Sequence, residues 1–169
     1  MNKWQMTKLL LILTATLASF LSGLETKTLQ TDFTLTIAEN ATQPLNITGS
    51  ITVHGEQFLL SALDYDAAYD GSTLYLWQPD TEELTLSTPT EDELLEANPF
   101  LYAKALSDAG KKVNFVLDDN DLPVRATMTD GTKSYTLTFR NAHYLTSSAA
   151  GAISYTITPP SNAYVNDLR

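Results

Sequence analysis

From Thr31 onward, apolar side chains recur at every second position. Phe33, Leu35 and Ile37 alternate with Thr34 and Thr36, and Leu45, Ile47, Ile51 and Val53 alternate around Gly49. A period of two sends successive side chains to opposite faces, so both segments predict antiparallel strands with one face on a core. Gln57 to Leu63 is a third strand, its alternation blurred by Leu59-Leu60. The run Tyr65 to Tyr69 meets Asp70-Gly71 before Thr73 to Trp77, which predicts a hairpin needing positive φ at Gly71. Pro79 to Glu82 supplies another turn ahead of a strand from Glu83 to Ser87.

The pattern changes at Thr90. Thr90 and Glu93 stand at capping-box spacing for a helix through Leu95, and Asn98-Pro99 can cap and begin a second helix through Leu106, with Gly110 as its stop. Strand signals return at Val113 to Leu117, Leu122 to Met128 and Tyr135 to Phe139, separated by polar turns at Asp118 to Asp121 and at Asp130-Gly131. Ile153 to Ile157 predicts a last strand, and Pro159-Pro160 places the chain beyond it at an edge or in a loop. The short gaps between the strands from Val113 to Phe139 imply consecutive hairpins rather than crossovers there. The whole predicts a mainly β fold with short helices, a strongly curved antiparallel sheet forming a partly open barrel wrapped over the helical insert.

The start of the chain admits two readings. Lys3 and Lys8 precede and flank an apolar run from Leu9 to Leu21, and Thr16-Leu17-Ala18 or Leu21-Ser22-Gly23 offers small residues for cleavage. That is the shape of a secretory signal over residues 1–23, leaving 24–169 as a single domain that begins between Ser19 and Leu24. No Cys follows for lipid attachment, so a soluble mature chain is expected. Alternatively, Leu9, Leu10, Leu13, Leu17, Phe20, Leu21 and Leu24, spaced near three and four, form the buried stripe of a folded helix.

Charge narrows the partners. Lys and Arg total 10 against 20 Asp and Glu, a net charge of -10 that disfavours nucleic acid. Between Lys27 and Lys104 there is no cation but thirteen acids, which disfavours docking on an anionic membrane, although a solvated acidic face accounts for it equally. Without Cys there is no disulfide or thiolate, and His54 and His143 are the only histidines. Asp118, Asp119, Asn120 and Asp121 read as a turn rather than a calcium loop, and Asp64, Asp66 and Asp70 as turn-capping or solvated carboxylates. With no phosphate loop or nucleophile elbow either, the reading is a protein that is not an enzyme and uses no cofactor or metal. Tyr65, Tyr69, Tyr75 and Trp77 share parity around the Asp70-Gly71 turn, either as core or as the wall of a ligand cavity.

The stretch Tyr69-Asp70-Gly71-Ser72-Thr73-Leu74-Tyr75-Leu76-Trp77-Gln78-Pro79, followed by Glu82-Glu83-Leu84-Thr85-Leu86, resembles the LolA-like family of periplasmic lipoprotein carriers, in its Bacteroidetes-type form. Thr31 to Thr34, Gly49 to Phe58, Glu93 to Phe100 and Val165 to Arg169 resemble further family segments in the same order. The resemblance implies an unclosed β-barrel under a helical lid, a monomer in the periplasm that shelters the acyl chains of lipoproteins on their way to the outer membrane. It implies as partners an inner-membrane release complex and an outer-membrane acceptor. Phe33, Leu35, Ile37, Leu45 and Ile47 match the kinds of position that line such a cavity, as do Phe58, Leu60, Tyr75 and Trp77; Leu94, Leu95, Phe100 and Leu101 match its cover.

Three features depart from the family pattern. Leu59 follows Phe58 where relatives carry an Arg tied to lid movement, the segment from Ala103 to Val113 is short, and little chain remains for an N-terminal helix after an early cleavage. These departures leave a second reading open, a cell-envelope interaction or structural module that keeps the fold without transport.

Overall fold

A computed structural model of the chain describes residues 16–40 and 42–169. Lys3, Lys8 and residues 9–15 of the apolar run lie outside the described residues. Residues 16–24 form helix α1, which buries Leu17, Phe20 and Leu24 in the core, so the stripe spaced near three and four packs as a helix face there. Both candidate cleavage sequences lie in this helix. A cut between Ser19 and Leu24 removes Leu17, whose loss from a packed core costs about 2–5 kcal/mol.

Ten strands follow: β1 (Leu29–Glu39), β2 (Leu45–His54), β3 (Gln57–Ala62), β4 (Asp66–Tyr69), β5 (Leu74–Gln78), β6 (Glu83–Ser87), β7 (Val113–Leu117), β8 (Pro123–Asp130), β9 (Lys133–Tyr144) and β10 (Tyr164–Asp167). Helices α2 (Glu91–Ala97) and α3 (Pro99–Asp108) join β6 to β7, and the short α4 (Ser147–Gly151) follows β9. All ten strands belong to one sheet in the order β10-β6-β5-β4-β3-β2-β1-β9-β8-β7.

This architecture corrects the expectation of a strongly curved antiparallel sheet forming an unclosed barrel under a lid. The sheet is open, because β10 pairs with β6 alone and β7 with β8 alone, which leaves two free edges; it is also mixed, because β10 runs parallel to β6. Curling toward a barrel needs a register stagger carried across long strands to bring the edges together. Here the long strands, β1, β2 and β9, sit at the centre, and the edge strands β10 and β7 are only four and five residues long. The consecutive hairpins expected from Val113 to Phe139 are present as β7, β8 and β9, while β1 pairs with β9 and the chain crosses the sheet from β6 to β7. The strand expected at Ile153 to Ile157 is irregular chain instead, and the pairing falls after Pro159-Pro160, in the edge strand β10.

Alternation assigns the two faces. The inner face carries Leu29, Thr31, Phe33, Leu35 and Ile37 of β1 in register with Val53, Ile51, Gly49, Ile47 and Leu45 of β2. It continues through Phe139, Leu137 and Tyr135 of β9, Ala126 and Met128 of β8, and Phe115 of β7. The three helices α1, α2 and α3 pack on this face. Phe20 of α1 meets Phe115 at 5.0 Å and Phe100 of α3 at 5.5 Å between ring centroids, and Phe100 stacks on Phe139 at 5.3 Å. This aromatic cluster fills one end of the space between helices and sheet.

Candidate functional site

At the other end that space stays open. A cavity of about 380 Å³ lies between the inner face and the α2–α3 unit, within the range of about 300–1,000 Å³ usual for small-ligand sites. Its floor follows from the strand registers: Leu35 stands between Ile47 and Leu137, and Ile37 is paired with Tyr135. Phe33 lies opposite Gly49, where a Cβ would sit 2.9 Å from Phe33 Cζ and would also collide with the Ser61 carbonyl oxygen. Glycine at this position lets the Phe33 ring lie across β2, which keeps the floor flat and apolar.

The roof is built by two caps. In α2 the Glu93 amide donates to Thr90 Oγ1 at 3.3 Å while the Thr90 amide donates to Glu93 Oε2 at 2.7 Å, the reciprocal pair that the sequence spacing predicts. The Thr90 backbone and hydroxyl hydrogen bonds hold the Glu93 carboxyl below its ordinary pKa. In α3 the fully buried Asn98 accepts from the amides of Phe100 and Leu101 at 3.0 and 3.4 Å, and Pro99 occupies the first turn. The caps aim Leu95 and Ala97 of α2 and Pro99 and Tyr102 of α3 at the floor.

Polar groups in the lining are few. They come from Tyr65, Tyr102, Tyr135 and Glu96, among otherwise apolar side chains. The Tyr102 and Tyr135 rings meet edge to face at 5.8 Å. Burial, with the Tyr135 hydroxyl beside it and Asp130 nearby, pushes the Tyr102 hydroxyl up to about 12. Burial also raises Tyr65. Both remain protonated donors at any ordinary pH. Among the described residues no group of three or more His, Asp or Glu could hold a metal ion. Asp118 caps its own turn, accepting from the amides of Asn120 and Leu122 at 2.8 and 3.0 Å.

Of the residues singled out by resemblance, Phe33, Leu35, Ile37, Ile47, Leu60 and Leu95 come together around the cavity. Leu45 shares their face but lies at the open end of β2, 57% exposed. Phe58 and Phe100 are fully packed core rather than cavity wall, and Leu94 is half-buried against that core. Leu101 instead lines a separate groove between α1 and α3, with Leu21 and Lys104.

Tyr75 and Trp77 need a correction, because they point away from the cavity. The β4–β5 connection is a four-residue loop, closed by the Asp70 amide on the Thr73 carbonyl and braced by Asp70 Oδ1, which accepts from the amides of Ser72 and Thr73 at 2.9 and 2.8 Å. An even loop reverses parity between the strands. Tyr69 therefore pairs with Leu74 on the inner face, while Tyr75 and Trp77 pair with Ala68 and Asp66 on the outer one. Leu59 is outward as well, in register with Thr52 and Ala68.

Met128, Tyr135, Leu137 and Tyr102 also line the cavity but were not among the candidates, and Tyr65, one of the aromatics read as core or cavity wall, lines it as well. The alternation Tyr135-Leu137-Phe139 carried the signal for β9, but only its adjacency to β1 puts that face over the same space.

No family model matches the sequence, and no curated protein matches it. Among solved structures the chain is similar to an uncharacterized conserved protein from Thermus thermophilus, with a TM-score of 0.51 at 9% identity, over 89% of this chain and 96% of that one. At such low identity the likeness concerns the fold alone.

Proposed function

We propose that this protein is a non-catalytic carrier that shelters the acyl chain of a lipoprotein or lipid in the periplasm. The observation that supports the reading is the apolar cavity under α2 and α3, with Phe33, Leu35, Ile37, Ile47, Leu60 and Leu95 around it. Moving a methylene from water into such a lining is favourable by about 0.8 kcal/mol, so ten methylenes contribute about 8 kcal/mol before the cost of immobilising the ligand. The roof is the part suited to open, because α2 has no fully buried residue and meets the protein through half-buried Leu94, Leu95 and Ala97. Release then requires an acceptor that binds the acyl group better than the cavity does.

The test is native mass spectrometry of the full chain purified from its own envelope fraction, together with titration of a fluorescent lipopeptide. A carrier retains acyl-bearing ligand and binds the probe, and Leu35→Glu abolishes both without unfolding the domain. Ligand-free protein that fails to bind the probe would favour the envelope module without transport.

A further inference from the structure

The lining of the cavity carries one charged side chain among the described residues. It is Glu96, exposed near the end of α2. No Lys or Arg occurs between Lys27 and Lys104, so β2 to β6, α2 and the first turn of α3 offer no cation to a ligand. Across the mouth, where β1, β8 and β9 end, Lys133 lies 3.9 Å from Glu39 and Lys111 lies 3.1 Å from Asp130, and neither side chain lines the cavity. The remaining polar lining consists of the hydroxyls of Tyr65, Tyr102 and Tyr135, a group type that can donate to a carbonyl oxygen.

From this arrangement we infer that the cavity selects its ligand by head-group charge, taking an apolar chain that ends in a neutral ester or amide and rejecting one that ends in a carboxylate. A carboxylate drawn into this cavity gives up hydration, finds no cation among the described residues of the lining, and faces Glu96. An ester or amide meets none of these penalties and gains a tyrosine donor. The inference rests on the acyl-carrier reading and narrows it to chains already esterified or amidated, as opposed to free fatty acids.

The experiment titrates the full-length protein with hexadecanamide, hexadecanoate and hexadecyltrimethylammonium, each below its aggregation concentration. At about pH 8, where a carboxyl group is ionised, the amide is expected to bind at least about tenfold more tightly than the carboxylate. Lowering the pH toward about 4 neutralises hexadecanoate and should close that gap. Glu96 is exposed, so its variants should fold: Glu96→Gln should narrow the gap, and Glu96→Lys should bring the carboxylate level with or ahead of the amide while weakening the alkylammonium. Carboxylate binding as tight as amide binding in the native protein, or a ratio unmoved by Glu96→Lys, would overturn the charge selection and leave the carrier reading standing. Binding of none of the three ligands would overturn the carrier reading and the selection with it.

Discussion

A single residue's face decides what it can do. Leu59 adjoins Phe58, whose side chain is fully buried, but register turns Leu59 to the outer face, away from the cavity and from α2 and α3. Leu59→Arg is therefore expected to leave capture and release of a fluorescent lipopeptide within about twofold of native, the span of a substitution remote from the site. Stopped-flow release slowed severalfold by the Arg would show that position 59 reaches the roof. Tyr102 carries a pH dependence. Its proton is held more tightly in the folded chain, so the stability it contributes is fully present below 10.0 and is lost as pH rises through about 12. Urea melts across that window should show Tyr102→Phe losing less stability than the native chain. Tyr65 and Tyr144, also raised by burial, keep the variant from becoming pH-independent. At this scale, legibility turned on loop length. Alternation located the strands carrying Tyr69, Tyr75 and Trp77, but whether Tyr69 shares a face with Tyr75 depends on an odd or even loop, and only the Asp70 hydrogen bonds settle four residues.

At the scale of elements, local chemistry was the readable part. The Thr90–Glu93 box and the Asn98-Pro99 start both signal helices by side chains within four residues, and α2 and α3 begin where those signals stand. Such caps contribute about 0.5–2 kcal/mol each, and α2, without a fully buried residue, depends on its cap more than α3 does. Thr90→Ala should hardly move the global melt. Hydrogen exchange over residues 91–97 should accelerate nonetheless, and lipopeptide dissociation should quicken with it. Unchanged exchange in α2 would mean that packing of Leu94 and Leu95 alone holds the helix. The opposite case is the segment Ile153 to Ile157, which alternates as a strand does yet runs beside Thr28, His54, Gln57 and Asp70 on the outer face and not along a sheet edge, so it stays irregular. Residues Tyr164–Asp167 carry little strand signal and become β10 because β6 offers them an open edge.

For the molecule as a whole, two long crossovers explain why a single open sheet is covered on both faces. The connection from β6 to β7 must travel nearly the full width of the sheet and does so over the inner face as α2 and α3. The connection from β9 to β10 makes the return journey on the outer face: residues 150–156 share a groove with Thr28, His54, Gln57 and Asp70, and the Tyr164 amide then donates to the Glu82 carbonyl at the far edge. Ala68 and Leu84 are buried on that outer face. Neither route was legible in sequence, because both depend on strand order, and strand order is fixed by pairings such as β1 with β9 between residues about a hundred apart. This division gives Trp77 a diagnostic position. It is half-buried, in register with Leu84, which pairs in turn with Val165 of β10, and on the opposite side of the sheet from the cavity. In a Trp4→Phe background, where Trp77 is the sole indole, filling the cavity with lipopeptide should leave the emission maximum where it is. Ending the chain after Gly151 should shift that maximum to the red and lower the denaturant midpoint, because Leu84 and Ala68 become exposed. A ligand-induced shift at Trp77 comparable to that of the truncation would mean that the sheet transmits cavity filling from one face to the other, and the two coverings could no longer be treated as independent.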